Sequence, residues 1–327
     1  MGPAPCDPGF DDELSGTLTH LNSAKEHVMR LLETGGTGFV MSHVLLNWLQ
    51  QNPDGSATSV DLAPPDAVAQ RFFAPVRDRL EFITGDVSAP DLLDTVPDPT
   101  SISHIVCGAA MTPTRGTTER SQAAMIAGVN LMGPVHCLEF ARALPDLKRM
   151  VHVSTGSVYA DDGPEDGSPL SEDGFVWSFP DSLYPITKLT GELLTNRWKA
   201  LFDLPLGVVR LASVYGPMDR WTPGRDFACA PNVMVHKALA GEPWTIAGSD
   251  AVGDFIHGGD VGRAICALLA APALNFDTYN NGYGAPAKLT EVADLVVDAI
   301  AEASWRSVEG RGDINGYPGR TRGTWGA

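Results

Sequence analysis

The chain has 327 residues, 43% hydrophobic and 19% charged, enough to bury the core of one large α/β unit or of two lobes. Its formal net charge of −17 opposes phosphate backbones and anionic membranes, so neither nucleic acid nor a lipid surface is the expected partner. The five cysteines (Cys6, Cys107, Cys137, Cys229, Cys266) are scattered without Cys-x-x-Cys spacing. They read as reduced thiols of a cytoplasmic protein, with neither a disulfide framework nor a metal site.

In chain order, residues 1–26 are rich in Pro, Gly and Asp at first and lack an apolar signal core, so a flexible extension is expected there. Apolar runs at Val28–Leu32, Thr58–Asp61, Leu80–Thr84, His104–Cys107, Arg149–Ser154 and Gly207–Leu211 predict strands. Helical periodicity between them predicts helices over Val40–Gln51, Gln122–Leu144 and Tyr184–Phe202. This alternation predicts a parallel sheet covered on both faces. A Pro-, Gly- and Trp-rich stretch from about Tyr215 to Val252 breaks it and predicts a smaller lobe. A further strand is expected at Asp254–His257, with a helix from about Asp260. No apolar run is read as reaching the ~18–20 residues of a membrane span.

Two motifs carry chemistry. Thr34-Gly35-Gly36-Thr37-Gly38-Phe39-Val40 joins the first strand to the first helix, where glycines let the backbone approach a pyrophosphate seated on the helix N-terminus. Asp61, 26 positions after Gly35, ends the next strand and can accept hydrogen bonds from ribose hydroxyls. A carboxylate there repels a 2′-phosphate, and no arginine directly follows it, so NAD is expected over NADP. Tyr184 and Lys188 stand four residues apart, one above the other on a helix face. A cation beside a phenol lowers its pKa and suits it to proton transfer with a substrate hydroxyl.

With these motifs in order, the chain from about His27 to Ala303 resembles the extended short-chain dehydrogenase/reductase family, in its NAD-dependent epimerase/dehydratase group. Further matching segments are Gly85-Asp86-Val87, Gly108-Ala109-Ala110, Asn130, Val153 to Tyr159, Arg210 to Pro217 and Asp254-Phe255-Ile256-His257. The resemblance implies a Rossmann-type doubly wound parallel sheet with a smaller C-terminal substrate-binding lobe. It divides the chain into an NAD-binding domain (27–211, with 254–281 returning to it) and a substrate lobe (212–253 and 282–327). It places Gly35, Gly38, Phe39, Val40, Asp61, Leu62, Asp86, Val87, Gly108, Ala109, Ala110, Asn130, Tyr184, Lys188 and Leu211 around the cofactor. It assigns catalysis to Thr155, Tyr184 and Lys188, and expects no metal. Relatives commonly dimerise through helices that here span about 116–143 and 184–203.

Several positions depart from the pattern. Gly156 and Ser157 stand where the dehydratases carry an Asp-Glu pair, which disfavours elimination. Ser213 and Gly253 stand where nucleotide-sugar enzymes have an asparagine and an arginine for the substrate diphosphate. Arg220, Arg225, Arg320 or Arg322 are candidates for a substitute cation. Met41 replaces the third loop glycine, Glu33 stands where the first strand is usually apolar, and Gly258-Gly259 favours neither strand end nor helix start. The function expected is epimerisation or dehydrogenation of a secondary alcohol on a sugar, a sugar acid or a related small hydroxy compound. The competing reading is a non-catalytic dinucleotide-sensing protein on the same fold.

Overall fold

In the computed structural model, the described residues are 29–112, 117–159, 182–222, 225 and 228–316. The N-terminal extension, Cys6, Arg320, Arg322 and Trp177 (a candidate in the sequence for lining the substrate pocket) lie outside them. The chain runs through β1 (Arg30–Thr34), α1 (Phe39–Gln51), β2 (Ser56–Asp61), α2 (Ala67–Phe72), β3 (Leu80–Thr84) and β4 (His104–Cys107). Then follow α3 (Thr117–Ala127), α4 (Gly133–Ala143), β5 (Arg149–Thr155), α5 (Leu183–Phe202), β6 (Leu206–Leu211), β7 (Ser213–Tyr215) and α6 (Ala230–Leu239). After these come β8 (Trp244–Ala247), β9 (Val252–Gly253), β10 (Phe255–His257), α7 (Gly258–Ala270) and β11 (Thr278–Asn281). The last elements are β12 (Ala287–Lys288), α8 (Leu289–Ala299), β13 (Trp305–Val308) and β14 (Ile314–Asn315).

The main sheet has seven strands in the order β11-β6-β5-β4-β1-β2-β3, and every pairing within it is parallel. Parallel sheets need both faces covered, and the sequences of β5 and β6 show it: every residue in both strands is buried. One face packs Leu31, Val151 and Val209 against Val44, Leu45 and Trp48 of α1 and Val261 and Ile265 of α7. The other packs Leu32, Ile105 and Met150 against Cys137, Leu138 and Ala141 of α4, with Leu194 and Trp198 of α5 beside them. The strand order reverses between β1 and β4, which opens a crevice at their carboxyl ends. This is a Rossmann-type doubly wound fold. The smaller sheet, β13-β8-β14, buries Trp244 and Ile246 against Met234 of α6 and Ala293 of α8.

The first strand sits two residues later than its apolar run predicts, because Glu33 and Thr34 are buried members of it. Glu33 lies wholly inside, with one carboxylate oxygen accepting from Ser59 Oγ at 2.9 Å. Burial pushes its carboxyl well above the usual range; the Ser59 bond opposes this shift, and the charge of Asp61 adds to it. Its other oxygen has no hydrogen-bond partner.

Two departures that look unfavourable in the sequence are matched by distant partners. A Cβ on Gly108 would lie 1.9 Å from Met41 Sδ, so the glycine after β4 supplies the space that the missing loop glycine would have left. A Cβ on Gly258 would lie 2.6 Å from the His43 ring, and this close approach is what lets α7 lie on α1. Helix α7 accordingly starts at Gly258, two residues before Asp260, with the His257 ring nitrogen accepting from Gly259 N at 3.1 Å.

The helix expected over Gln122–Leu144 divides into α3, a π turn at Gly128–Met132, and α4. Pro134 cannot donate to the carbonyl four residues back, and the wider turn absorbs that loss while pointing Asn130 inward. Within Glu119–Ala143 one window is long and apolar enough to cross a membrane by length and composition alone, although 33% of it is buried in the fold. This corrects the expectation that no run qualifies.

Candidate active site

Gly35 turns the chain out of β1 at φ +93°, where a side chain is strained, and its backbone lies against Ala109: a Cβ would fall 2.9 Å from Ala109 Cα. Thr34 Oγ1 accepts from Gly108 N and Ala109 N, both at 3.1 Å, and so ties this loop to the turn after β4. Gly38 caps α1 with no side chain on the helix N–H groups, and no acidic residue stands in the first turn. Phe39 and Val40 open the helix. Free N–H groups at a helix start, reached by glycine backbone from two sides, make a seat for a pyrophosphate. Asp61 Oδ2 accepts from Thr37 N at 2.9 Å, which sets the carboxylate at the lip of this seat. Leu62 beside it is exposed. Asp86 accepts from Ser88 N and Oγ in its own turn, and Val87 is buried under Gly133. These residues fit a dinucleotide.

Helix α5 presents the second half of the site. Ser182 Oγ accepts from Tyr184 N at 3.2 Å and caps the helix, while Pro185 falls in the first turn, where a missing N–H costs nothing. Tyr184 and Lys188 share one face, the tyrosine partly exposed and the lysine buried. Lys188 Nζ donates to Val153 O of β5 at 2.8 Å. Burial lowers its pKa from 10.5 to about 8, against the raising influence of Cys107 and Glu192. Asn130 donates to Met111 O and to Thr187 Oγ1, and its own oxygen accepts from Met111 N. Thr187 Oγ1 in turn donates to Tyr184 O at 2.9 Å. Asn130 is thus a brace between the turn after β4 and the first turn of α5.

Thr155 ends β5, and its Oγ1 accepts from Ser157 N at 3.2 Å, capping the short turn that follows. Leu211 ends β6, paired with Asn281 and beside Thr155. Gly253 is closed by Phe255: a Cβ there would lie 2.9 Å from the ring. Arg220 and Arg225, candidates for a substrate cation, are committed elsewhere, to Asp66 and to Asp219.

One buried assembly was not singled out from the sequence. Ser154 Oγ donates to Glu192 Oε1 at 2.5 Å, and Arg210 forms an ion pair with Glu192 at 2.6 Å. The guanidinium also lies 4.8 Å from the centre of the Tyr159 ring. Glu192 continues the Tyr184/Lys188 face by another four residues, a spacing that could have marked it.

The lysine makes a stability prediction. An ammonium whose folded pKa of about 8 lies below its free value of 10.5 costs stability wherever it is charged; the cost is whole below about pH 8 and fades as the pH rises towards 10.5. Lys188→Met is therefore expected to raise the melting temperature of the cofactor-free protein at neutral pH by about 2 °C or more. Calorimetry should show that gain shrinking at alkaline pH. A lower melting temperature for the variant at neutral pH would contradict this account.

A glycine-lined anion seat at the strand-order reversal, with a ribose-height carboxylate and a Tyr/Lys helix face opposite, defines a dinucleotide-dependent enzyme of the α/β class. The model of the NAD-dependent epimerase/dehydratase family matches residues 31–282, and the chain belongs to that family. NAD is its cofactor. Among its relatives, UDP-glucose 4-epimerase of Mycolicibacterium smegmatis is 30% identical over 276 residues, covering 83% of each chain. An uncharacterized UDP-glucose epimerase of Bacillus subtilis is 28% identical over 276 residues, covering 83% of this chain and 82% of that protein. The structure of Thermus thermophilus UDP-glucose 4-epimerase with NAD superposes with a TM-score of 0.70 at 23% identity, over 89% of this chain and 88% of that one, and shows the shared fold.

Proposed function

We propose that this protein is an NAD-dependent epimerase acting on a secondary alcohol of a sugar or sugar-like molecule. The observation that carries the reading is the Tyr184/Lys188 face, with the ammonium buried against Val153 O at the end of the dinucleotide crevice. Burying a charge is costly, and an ammonium kept beside a phenol on one helix face supports a chemical role as well as a binding one. Tyr184 takes the proton of the substrate hydroxyl, and Lys188 favours the phenolate that receives it. NAD held by the glycine loop, Asp61 and Lys188 would supply reversible hydride acceptance at the carbinol carbon. Thr155 offers its hydroxyl to the same substrate oxygen. Epimerisation also needs the oxidised sugar to turn over within the pocket, so the walls must hold it loosely. Gly156 and Ser157 bring no carboxylate beside Thr155, which supports epimerisation over loss of water. Relatives are named for UDP-glucose, yet Phe255 fills the space beside Gly253, which supports a substrate held by its sugar hydroxyls, with or without a nucleotide.

The test is incubation of the NAD-loaded protein with UDP-glucose and with a panel of free sugars and sugar acids. An epimer should accumulate without build-up of the reduced-nicotinamide absorbance. Stoichiometric reduced cofactor would instead make the protein a dehydrogenase, and no conversion of any compound would sink the enzymatic reading.

We also infer a homodimer formed by α3, α4 and α5. Met125 and Met132 are exposed seven residues apart, and so are Ile186 and Leu193. At that spacing Ile186 and Leu193 share one face of α5, while Met125 of α3 and Met132 of the π turn add exposed apolar surface. A second copy of this face supports a helical interface better than a bilayer does, because Arg120, Glu139 and Arg142 flank the same stretch. Leu193→Glu should convert the sedimenting species from dimer to monomer; a monomeric wild-type protein at micromolar concentration would refute the assembly.

A further inference from the structure

Arg220 is 154 residues from Asp66 in the chain, yet its Nε and Nη2 both donate to Asp66 Oδ2, at 3.1 and 2.9 Å. The same Nη2 reaches Thr37 O at 3.4 Å. Thr37 is the glycine-loop residue whose N–H is held by Asp61 at 2.9 Å. One residue therefore has the ribose carboxylate on its amide and a guanidinium on its carbonyl. Asp66 spends its other oxygen on Ala69 N at 2.8 Å, capping α2. It is half exposed, whereas the Arg220 side chain is mostly covered.

Dinucleotide sites tell NAD from NADP with these two groups. A carboxylate accepts from the free 2′-hydroxyl, and an arginine receives the 2′-phosphate. The sequence shows only the first, because nothing basic follows Asp61. The fold brings the second to the same loop from the substrate lobe. We propose that Arg220 is a latent 2′-phosphate cation, kept from that role by Asp66, so that Asp61 and Asp66 together select NAD against NADP. Asp61 repels the phosphate directly. Asp66 offsets the guanidinium charge and fixes its donors away from the ribose. A partly exposed ion pair is worth little by itself, so the arginine is released when its partner loses charge.

This rests on reading Asp61 as the ribose acceptor. The experiment is a titration of NAD and of NADP, followed by calorimetry, into wild type, Asp66→Asn, the double variant Asp66→Asn/Arg220→Ala, and Asp61→Asn. Asparagine keeps the acceptor that caps α2, so α2 is retained. Asp66→Asn should improve NADP affinity relative to NAD by about tenfold, the scale of one charge-assisted bond. Adding Arg220→Ala should return the ratio to that of wild type. An equal change for both dinucleotides in Asp66→Asn, or a gain that survives loss of Arg220, overturns the proposal. Asp61→Asn separates the premise: unchanged NAD affinity there refutes the ribose reading itself, whatever Arg220 does.

Discussion

Tyr184→Phe should lower turnover by about a thousandfold, within the range that a positioned acid–base group supplies, while NAD affinity changes by less than about twofold. The substitution deletes one oxygen and leaves the scaffold that presents it. Ser182 still caps α5 through the Tyr184 amide, Thr187 still donates to the Tyr184 carbonyl, and Asn130 still holds Thr187. Lys188 keeps its bond to Val153 O. In the proposed mechanism the phenolic hydroxyl exchanges a proton with the substrate, so its loss is expected to fall on the chemical step. Lys188→Met acts differently. It removes the cation that favours the phenolate and should lower both turnover and dinucleotide affinity, although it relieves a buried charge. Steady-state kinetics beside a dinucleotide titration separates the two patterns. Undiminished turnover by Tyr184→Phe would remove the proton shuttle from the mechanism.

Much of this site is written locally in the chain. The glycine loop, Asp61 and the four-residue spacing of Tyr184 and Lys188 are short-range features, and short-range periodicity also marks β3 and β4 at the residues where they occur. What escaped is pairing across the chain. Glu33 reads as a misplaced charge until Ser59 of the next strand is seen donating to it. Met41 reads as a lost glycine until Gly108, 67 residues on, is seen to make its room. Arg220 reads as a free lobe cation until Asp66 is found beside it. The π turn escaped for another reason: a periodic apolar pattern persists through it, and only Pro134 hints that the hydrogen-bond ladder must widen. In each case the partner residue is set by the three-dimensional path of the chain and has no signature in the local sequence.

The same long-range logic governs the second large effect, at Glu192. Its carboxylate receives Ser154 of β5 and Arg210 of β6 while riding on α5 one turn beyond Lys188. Its side chain is 3% exposed and that of Arg210 10%, so neither charge has water to turn to. Glu192→Ala should destabilise the protein by about 3–5 kcal/mol, because it strands a buried guanidinium. Denaturant unfolding would measure it, and a loss below about 1 kcal/mol would show that the pair is solvated in solution. Replacing both members, as in Glu192→Leu/Arg210→Met, should recover most of that stability, since a well-packed apolar pair often equals a buried ion pair. Activity should not return with it. Ser154 precedes Thr155, and Glu192 follows Lys188 on the same helix face, so the clamp fixes the strand that carries the hydroxyl against the helix that carries the phenol. A double variant that regained both stability and turnover would show that the ion pair serves folding alone. One that regained only stability would assign the pair to the alignment of Thr155 with Tyr184 and Lys188.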